Sequence, residues 1–363
     1  MKNTFGSALK VTLFGESHGY AIGAVIDGLT PGIKIDYDYI DRQLNRRRSK
    51  TLVCTKRVEK DEYKILSGVF EGHTTGTPIC IVIPNMDVNS SDYQLFGSVA
   101  RPGHADYTAN CKYHGYQDYR GGGHFSGRIT AALVVAGAIV QSALEQKGVY
   151  IGTHIQKCAG VEDKGFDNFV NDIEKLHTSQ FSIIDSDAQK KMLERMVEIK
   201  EADDSVGGIM ETAIVGVPAG VGEPWFDSIE SLLSHAMFSI PAIKGVEFGL
   251  GFGCADITGS RMNDEFYVDG DEIRTRSNNN GGINGGISNG MPIVFRCAVK
   301  PTSSIARKQK TVNFIEMTDT EIEIGGRHDA TIIPRACVVA ETLSAIVIAD
   351  LLIGRYGTDY LLN

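Results

Sequence analysis

The sequence predicts an α+β protein built from two related strand–helix–strand halves packed about a pseudo-twofold axis. Three observations carry this. An ordered set of motifs recurs roughly 200 residues apart, far beyond any solenoid period. Two long helices are apolar nearly all round, so sheet must cover them on more than one side. Glycine numbers 41 of 363 residues, above the usual share of about 7%. It clusters at Gly121–Gly123, between Gly281 and Gly290, and at Gly325–Gly326, marking tight turns or backbone in close approach.

The repeat is legible residue by residue. Gly68-Val-Phe-Glu-Gly72-His-Thr74-Thr-Gly76-Thr-Pro78-Ile79 matches Gly282-Ile-Asn-Gly-Gly286-Ile-Ser288-Asn-Gly290-Met-Pro292-Ile293 without a gap. Upstream, Ser17-His-Gly19 and Asp27-Gly28-Leu-Thr-Pro-Gly32 match Ser205-Val-Gly207 and Val215-Gly216-Val-Pro-Ala-Gly220. Downstream, Gly122-Gly-His124 then Arg128 matches Gly326-Arg-His328 then Arg335. The halves run over about 5–150 and 203–353, with a charged, glycine-poor insertion at about 151–202, all in one domain, 1–363. An active site then lies at the junction.

The elements follow in order. Strands are expected at Gly23–Asp27, Lys64–Val69, Ile79–Ile83, Ile209–Val217 and Pro292–Val299. Asp36 caps a helix to about Arg48, with Ile40 and Leu44 on one face. Arg128–Gln146 is nearly all apolar and ends at Gly148, so it is central. Asp187–Lys200 is a charged surface helix. Asp227 with Glu230 three residues on forms a capping box opening a helix to about Met237. The last helix, about Ala336–Leu352, is apolar except for Glu341 and Asp350.

Composition narrows the function. The net charge of −9 argues against a general nucleic-acid binder and a membrane-surface protein, so local arginines must hold any anion. Seven cysteines, at 54, 80, 111, 158, 254, 297 and 337, include no Cys-x-x-Cys. They suit reduced thiols in the cytoplasm. The longest apolar run, Ala131 to Val140, is too short to span a bilayer. No cluster has metal spacing.

Several loops could carry chemistry. Gly15-Glu-Ser-His-Gly19 holds Ser17 and His18 on a turn; a helix cap or plain turn accounts for the same residues. It lacks the Gly-x-Ser-x-Gly elbow of hydrolases. Arg101-Pro-Gly-His104-Ala-Asp106 pairs an arginine with a histidine, the usual general acid near neutral pH, though a solvated turn fits too. Arg42, Arg46, Arg47 and Arg48 end the first helix. The helix C-terminus favours one or two of them; four suggest a clamp for carboxylate or phosphate. Arg120 and Arg128 flank a glycine turn opening a helix, and amides at a helix start bind anions. This is neither a Walker loop nor a Rossmann fingerprint, which removes a nucleotide phosphotransferase. Lys300-Pro-Thr-Ser-Ser304 offers an ammonium and three hydroxyls, and Gly326-Arg-His-Asp329 precedes the last helix. These residues describe a cytosolic enzyme for a multiply anionic small molecule, with histidines for proton traffic.

Together these segments resemble the chorismate synthase family. The resemblance runs from about Phe5 to Leu352 and includes residues 15–19, 101–108, 118–123, 216–227, 235–247, 280–288, 300–305 and 326–329. It implies a β-α-β sandwich, with central helices between antiparallel sheets, and typically a homotetramer. It implies anti-1,4-elimination of phosphate and a proton from 5-enolpyruvylshikimate 3-phosphate, giving chorismate. Reduced FMN is required without net redox change; an external flavin reductant supplies it, with NADPH as indirect reductant. By the resemblance, His18 protonates or holds the leaving phosphate with Ser17 assisting. His104 stabilises the flavin's N1–C2 carbonyl edge, Asp329 helps move the C6 proton, and Ser126 joins the catalytic set. Arg47, Arg101, Arg128 and Arg335 bind substrate. His124, Phe125, Ser126, Pro241, Ala242, Gly285, Lys300, Pro301, Thr302, Ser303, Ser304 and Arg327 bind flavin.

The chain departs from the family pattern at three places. His124 and Phe125 replace an arginine and a hydroxyl. Val53 stands where an arginine is usual, with Lys50 or Arg57 as substitutes. Ala330 replaces the usual proline after Gly-Arg-His-Asp. The altered 124–130 segment motivates an alternative, a catalytically silent flavin-binding oligomer.

Overall fold

A computed structural model describes residues 2–48, 61–86, 95–325 and 329–362. Lys50, Val53, Arg57 and Arg327 lie outside them. The first half runs β1 (Thr4–Phe5), β2 (Lys10–Gly15), β3 (Ala21–Asp27), α1 (Tyr37–Arg48), β4 (Lys64–Ile65), β5 (Val69–Phe70), β6 (His73–Thr74), β7 (Ile79–Pro84), α2 (Asp106–Tyr113) and α3 (Thr130–Gln146). Its sheet has the order β1-β2-β3-β7-β4, antiparallel throughout.

The rest runs β8 (Tyr150–Cys158), β9 (Val161–Glu162), α4 (Phe169–Thr178), α5 (Ser186–Glu201), β10 (Gly208–Val215), α6 (Ile229–Met237), β11 (Ile243–Phe248) and the short α7 (Gly259–Met262). Then come β12 (Phe266–Asp269), β13 (Glu272–Thr275), β14 (Ile283–Asn284), β15 (Ile287–Ser288), β16 (Ile293–Val299), β17 (Gln309–Asn313), β18 (Thr318–Ile322) and α8 (Ile333–Tyr356). The second sheet, β11-β16-β10-β8-β9, is also antiparallel.

α3 packs on β2, β3 and β7, α8 packs on β8 and β10, and the two helices pack on each other. The result is a sandwich with helices between two antiparallel sheets, as the sequence predicts. Both helices are long and apolar enough to cross a bilayer by composition, but here they are core. They approach closely at Gly137, where a Cβ would lie 2.3 Å from the Thr342 carbonyl oxygen. Only glycine lets the backbones meet this way.

The seam also holds a buried charge pair. Arg46 on α1 donates to both carboxylate oxygens of Glu341 on α8, at 2.6 and 2.9 Å, and both side chains are almost inaccessible. Glu341 also accepts the Thr153 amide at 2.9 Å, so one carboxylate ties α1, β8 and α8 together.

Boundaries differ from the sequence expectation in four places. Ser228, not Asp227, caps α6, accepting the Ser231 amide at 3.1 Å; Trp225–Asp227 close a 3-10 turn of their own. The strand expected at Lys64–Val69 breaks at Gly68 (φ +79°), whose Cβ would strike the backbone of Pro78 and Ile79. α8 starts earlier, at Ile333 with Pro334 in its first turn, and runs on to Tyr356. The segment read as an insertion opens with β8, which pairs with β10 from Tyr150↔Val215 to Cys158↔Gly208. The second half therefore begins at Tyr150. The neighbours β2-β3-β7 then repeat as β8-β10-β16.

Candidate active site

One cleft of about 2390 Å³ is lined from both halves. Gly121 lines it, in the loop Gly121–Gly123 with φ of +59°, +86° and +54°. All three residues sit in the left-handed region, where side chains are disfavoured. A Cβ on Gly121 would lie 2.0 Å from the His18 ring, and one on Gly122 would lie 3.4 Å from His104 Nε2. The loop thus packs against both histidines.

The Glu16–Gly19 turn is pinned to this loop. The Ser17 amide donates to the Gly123 carbonyl at 3.1 Å. The Ser17 hydroxyl faces the carbonyls of Gly121 (3.0 Å) and Arg120 (3.2 Å) and lies 3.2 Å from His18 Nδ1. A hydroxyl has one proton. Given to either carbonyl, it leaves the oxygen to accept from His18 Nδ1–H, and Nε2 becomes the proton-exchanging atom. Ser17 and His18 are both buried.

His104 is oriented by a carboxylate. Its Nδ1 lies 2.9 Å from Asp106 Oδ1. Burial opposes ionisation of Asp106, but hydrogen bonds from Arg101 and His104 hold it well below the usual carboxylate range. Asp106 and Arg101 together fix the orientation of the His104 ring. Arg101 lines the cleft, as expected of a substrate ligand. However, its Nε and Nη2 bond Asp106 at 2.8 and 2.7 Å, and its guanidinium stacks over Phe96 at 4.3 Å. Its Nη2 also lies 3.0 Å from His104 Nδ1, so besides lining the cleft Arg101 braces the histidine loop.

The basic wall comes from α1 and the start of α3. Arg47 donates to the Thr130 hydroxyl at 3.1 Å and the Gly127 carbonyl at 2.9 Å. Arg128 donates to Asn85 Oδ1 at 3.2 Å. Arg47, Arg48 and Arg128 all bond the carboxylate of Asp61. Burial opposes the charge on Asp61, and the arginines lower its pKa from the ordinary value nonetheless. Ser126 caps the turn before α3, accepting the Arg128 amide at 3.3 Å.

The second half supplies the opposite wall. Lys300 and the Ser303 hydroxyl both donate to the Gly103 carbonyl, and the Lys300 amide donates to the Ala242 carbonyl at 2.9 Å. Burial, then the nearby Lys244 charge, lower the Lys300 pKa. Pro241, Ala242, Pro301, Thr302, Ser304, His124 and Phe125 line the same cleft. His124 Nδ1 lies 2.8 Å from the Gly15 carbonyl. Asp329 meets Arg335 Nη2 at 3.3 Å, while Arg335 Nε is buried with no hydrogen-bond partner among the described residues. An unmatched buried guanidinium nitrogen is costly, and a ligand oxygen would satisfy it.

Gly285 is the expected site residue that the structure does not bring here. It sits exposed at the β14–β15 turn with φ +61°, open space around it. The hairpin needs a glycine there, which explains the residue without a ligand. Two residues were missed. Asp61 stands in a charge-rich stretch that looks solvated. Asn85 follows β7 and its amide donates to the carbonyls of Glu16 and Gly19, both at 2.9 Å, while its oxygen accepts from Arg128. It therefore ties the histidine turn to the arginine wall. Neither has a local sequence signal; only tertiary proximity gives them partners.

A family model described as chorismate synthase matches residues 9–353. A chorismate synthase of Thermococcus kodakarensis is 45% identical, covering 96% of this chain and 97% of its own. One of Dehalococcoides mccartyi is 46% identical, covering 97% and 96%. A solved structure described as a crystal structure of chorismate synthase has a TM-score of 0.76 at 30% identity, covering 98% of this chain and 95% of that one. Fold and relatives together define a lyase with a composite, arginine-walled cleft. The chain belongs to the chorismate synthase family.

Proposed function

We propose that this chain converts 5-enolpyruvylshikimate 3-phosphate to chorismate by anti-1,4-elimination of phosphate and a proton, with reduced FMN bound in the cleft. One observation carries the reading: two oriented histidines, an arginine wall and the Lys300–Ser304 loop converge in one cleft. Arg47 and Arg128 receive the phosphate and carboxylates, where charge-assisted bonds are strong. His18, set by Ser17, gives a proton from Nε2 to the departing phosphate. His104, its ring fixed by Asp106, would hold the polar edge of the flavin. Asp329, held by Arg335, assists removal of the C6 proton, and Ser126 orients the Arg128 loop.

The donor set suits FMN. Lys300, the hydroxyls of Thr302, Ser303 and Ser304 and the Ala242 backbone would meet its polar edge and phosphate, and Phe125 and Pro241 its ring. When bound there, reduced flavin would supply electron density to the eliminating system, with no net redox change. An external reductant supplies the flavin, with NADPH as indirect electron source. The protein acts in the cytoplasm as a homotetramer; exposed Trp225, Phe226 and Phe252 support self-association.

The test is anaerobic release of phosphate and chorismate, with dithionite-reduced FMN and an oxidised-FMN control. Turnover with reduced flavin alone upholds the reading. No turnover, with protein folded and FMN bound, would sink it in favour of a silent flavin-binding oligomer.

A further inference from the structure

We propose that Asp61 is a positioning residue of the anion subsite, gathering the guanidinium groups of Arg47, Arg48 and Arg128 and fixing how they meet an anionic group of the substrate. The inference rests on the function proposed above. A carboxylate in a cleft that receives anions opposes binding unless it serves the arginines around it. Asp61 is only 3% exposed and lines that cleft. Its Oδ1 accepts from Arg128 Nη1. Its Oδ2 accepts from Arg48 Nε at 3.3 Å and from Arg47 Nη1 at 3.5 Å.

Each arginine has a second, separate anchor. Arg47 has Thr130 and Gly127, Arg48 has Asn45 Oδ1 at 3.0 Å, and Arg128 has Asn85. Asp61 is a contact that all three share. It joins the end of α1 to the start of α3 and sets a negative charge among three arginines.

The backbone offers a clean variant. Asp61 has φ +44°, a region where Asn is tolerated as well as Asp. Asp61→Asn therefore removes the charge and keeps the shape. Inorganic phosphate binding to the full-length variant is measured by calorimetry, with KM and kcat for 5-enolpyruvylshikimate 3-phosphate and the thermal midpoint alongside. Misplaced binding groups predict phosphate affinity down by about tenfold or more, and a KM rise larger than the kcat loss. Phosphate binding as tight as in the wild type, or tighter, overturns the proposal: Asp61 would then be a competitor for the site. Should Asp61→Asn not fold, Asp61→Glu decides. A displaced carboxylate that weakens phosphate binding upholds positioning; unchanged binding overturns it. The phosphate measurement needs no turnover. A wild type that binds phosphate without converting substrate would end the functional reading and leave this one standing on its own result.

Discussion

The two halves share a scaffold and divide the chemistry. In the first, the Thr74 hydroxyl donates to the Thr30 carbonyl at 2.6 Å and accepts the Ile33 amide at 2.9 Å. In the second, the Ser288 hydroxyl donates to the Pro218 carbonyl at 2.6 Å and accepts the Val221 amide at 2.9 Å. The backbone ladders beside them match as well: Gly32 to Thr74 at 2.7 Å, Gly220 to Ser288 at 2.8 Å. Gly28 and Gly216 both have positive φ, and a Cβ on either would lie 2.0 Å from a carbonyl oxygen. Beside this identity, the turn Ser17-His18-Gly19 corresponds to Ser205-Val206-Gly207. His18 faces the cleft, whereas Val206 packs against the core. The first half brings histidines and the clustered arginines. The second brings Lys300, hydroxyls and the Asp329–Arg335 pair. Backbone demands repeat because they belong to the scaffold; reactive side chains need appear only once in a composite site.

His18→Ala tests that division most sharply. Loss of a general acid costs about 10²- to 10⁴-fold in rate, with the thermal midpoint close to wild type. Val206→Ala at the matching position should leave kcat unchanged and lower the midpoint instead. Equal effects of the two on turnover would dissolve the distinction.

The seam between the halves should be the next most sensitive place. Glu341→Ala strands Arg46 in the core, and breaking a buried pair costs roughly 3–5 kcal/mol. Denaturant unfolding reads this directly; a loss under about 1 kcal/mol, the value of an exposed pair, would deny the pair its role.

The matched hydroxyls give a smaller, paired effect. Thr74→Val and Ser288→Ala each leave a buried amide and carbonyl unpaired, at about 1–3 kcal/mol apiece. Comparable losses support a repeated scaffold. A loss in one half alone would show that the halves are stabilised differently.

The smallest effect is a pH dependence confined to the second half. His154 on β8 is buried between Asp163 (2.8 Å) and Glu211 (3.1 Å). Burial pushes its pKa down, but hydrogen bonds to both carboxylates outweigh this and raise it above 6.5. The stability it contributes is therefore complete below about pH 6.5 and is lost as pH rises through the raised folded value. The thermal midpoint should fall over that range, and His154→Gln should flatten the fall. An unchanged slope in the variant would assign the dependence to other groups.

The sequence by itself determined the repeat, the two apolar helices and most of the site. Glycine at a required positive φ, a hydroxyl three to five residues from a turn, and apolar residues all round a helix are local constraints, written as fixed residue types at fixed spacing. His18, His104, Lys300 and Asp329 were legible for the same reason: each stands in a loop whose glycines and prolines advertise it. The β8 strand was hidden because a charged segment follows it and its partner β10 lies some fifty residues on, so only sheet pairing revealed it. Tertiary structure alone decided that Asp61 gathers three arginines, that Asn85 couples the histidine turn to Arg128, and that Gly285 stands outside the cleft. Those roles depend on distances between elements far apart in the chain, and such distances are set by how α1, α3 and α8 pack between the sheets.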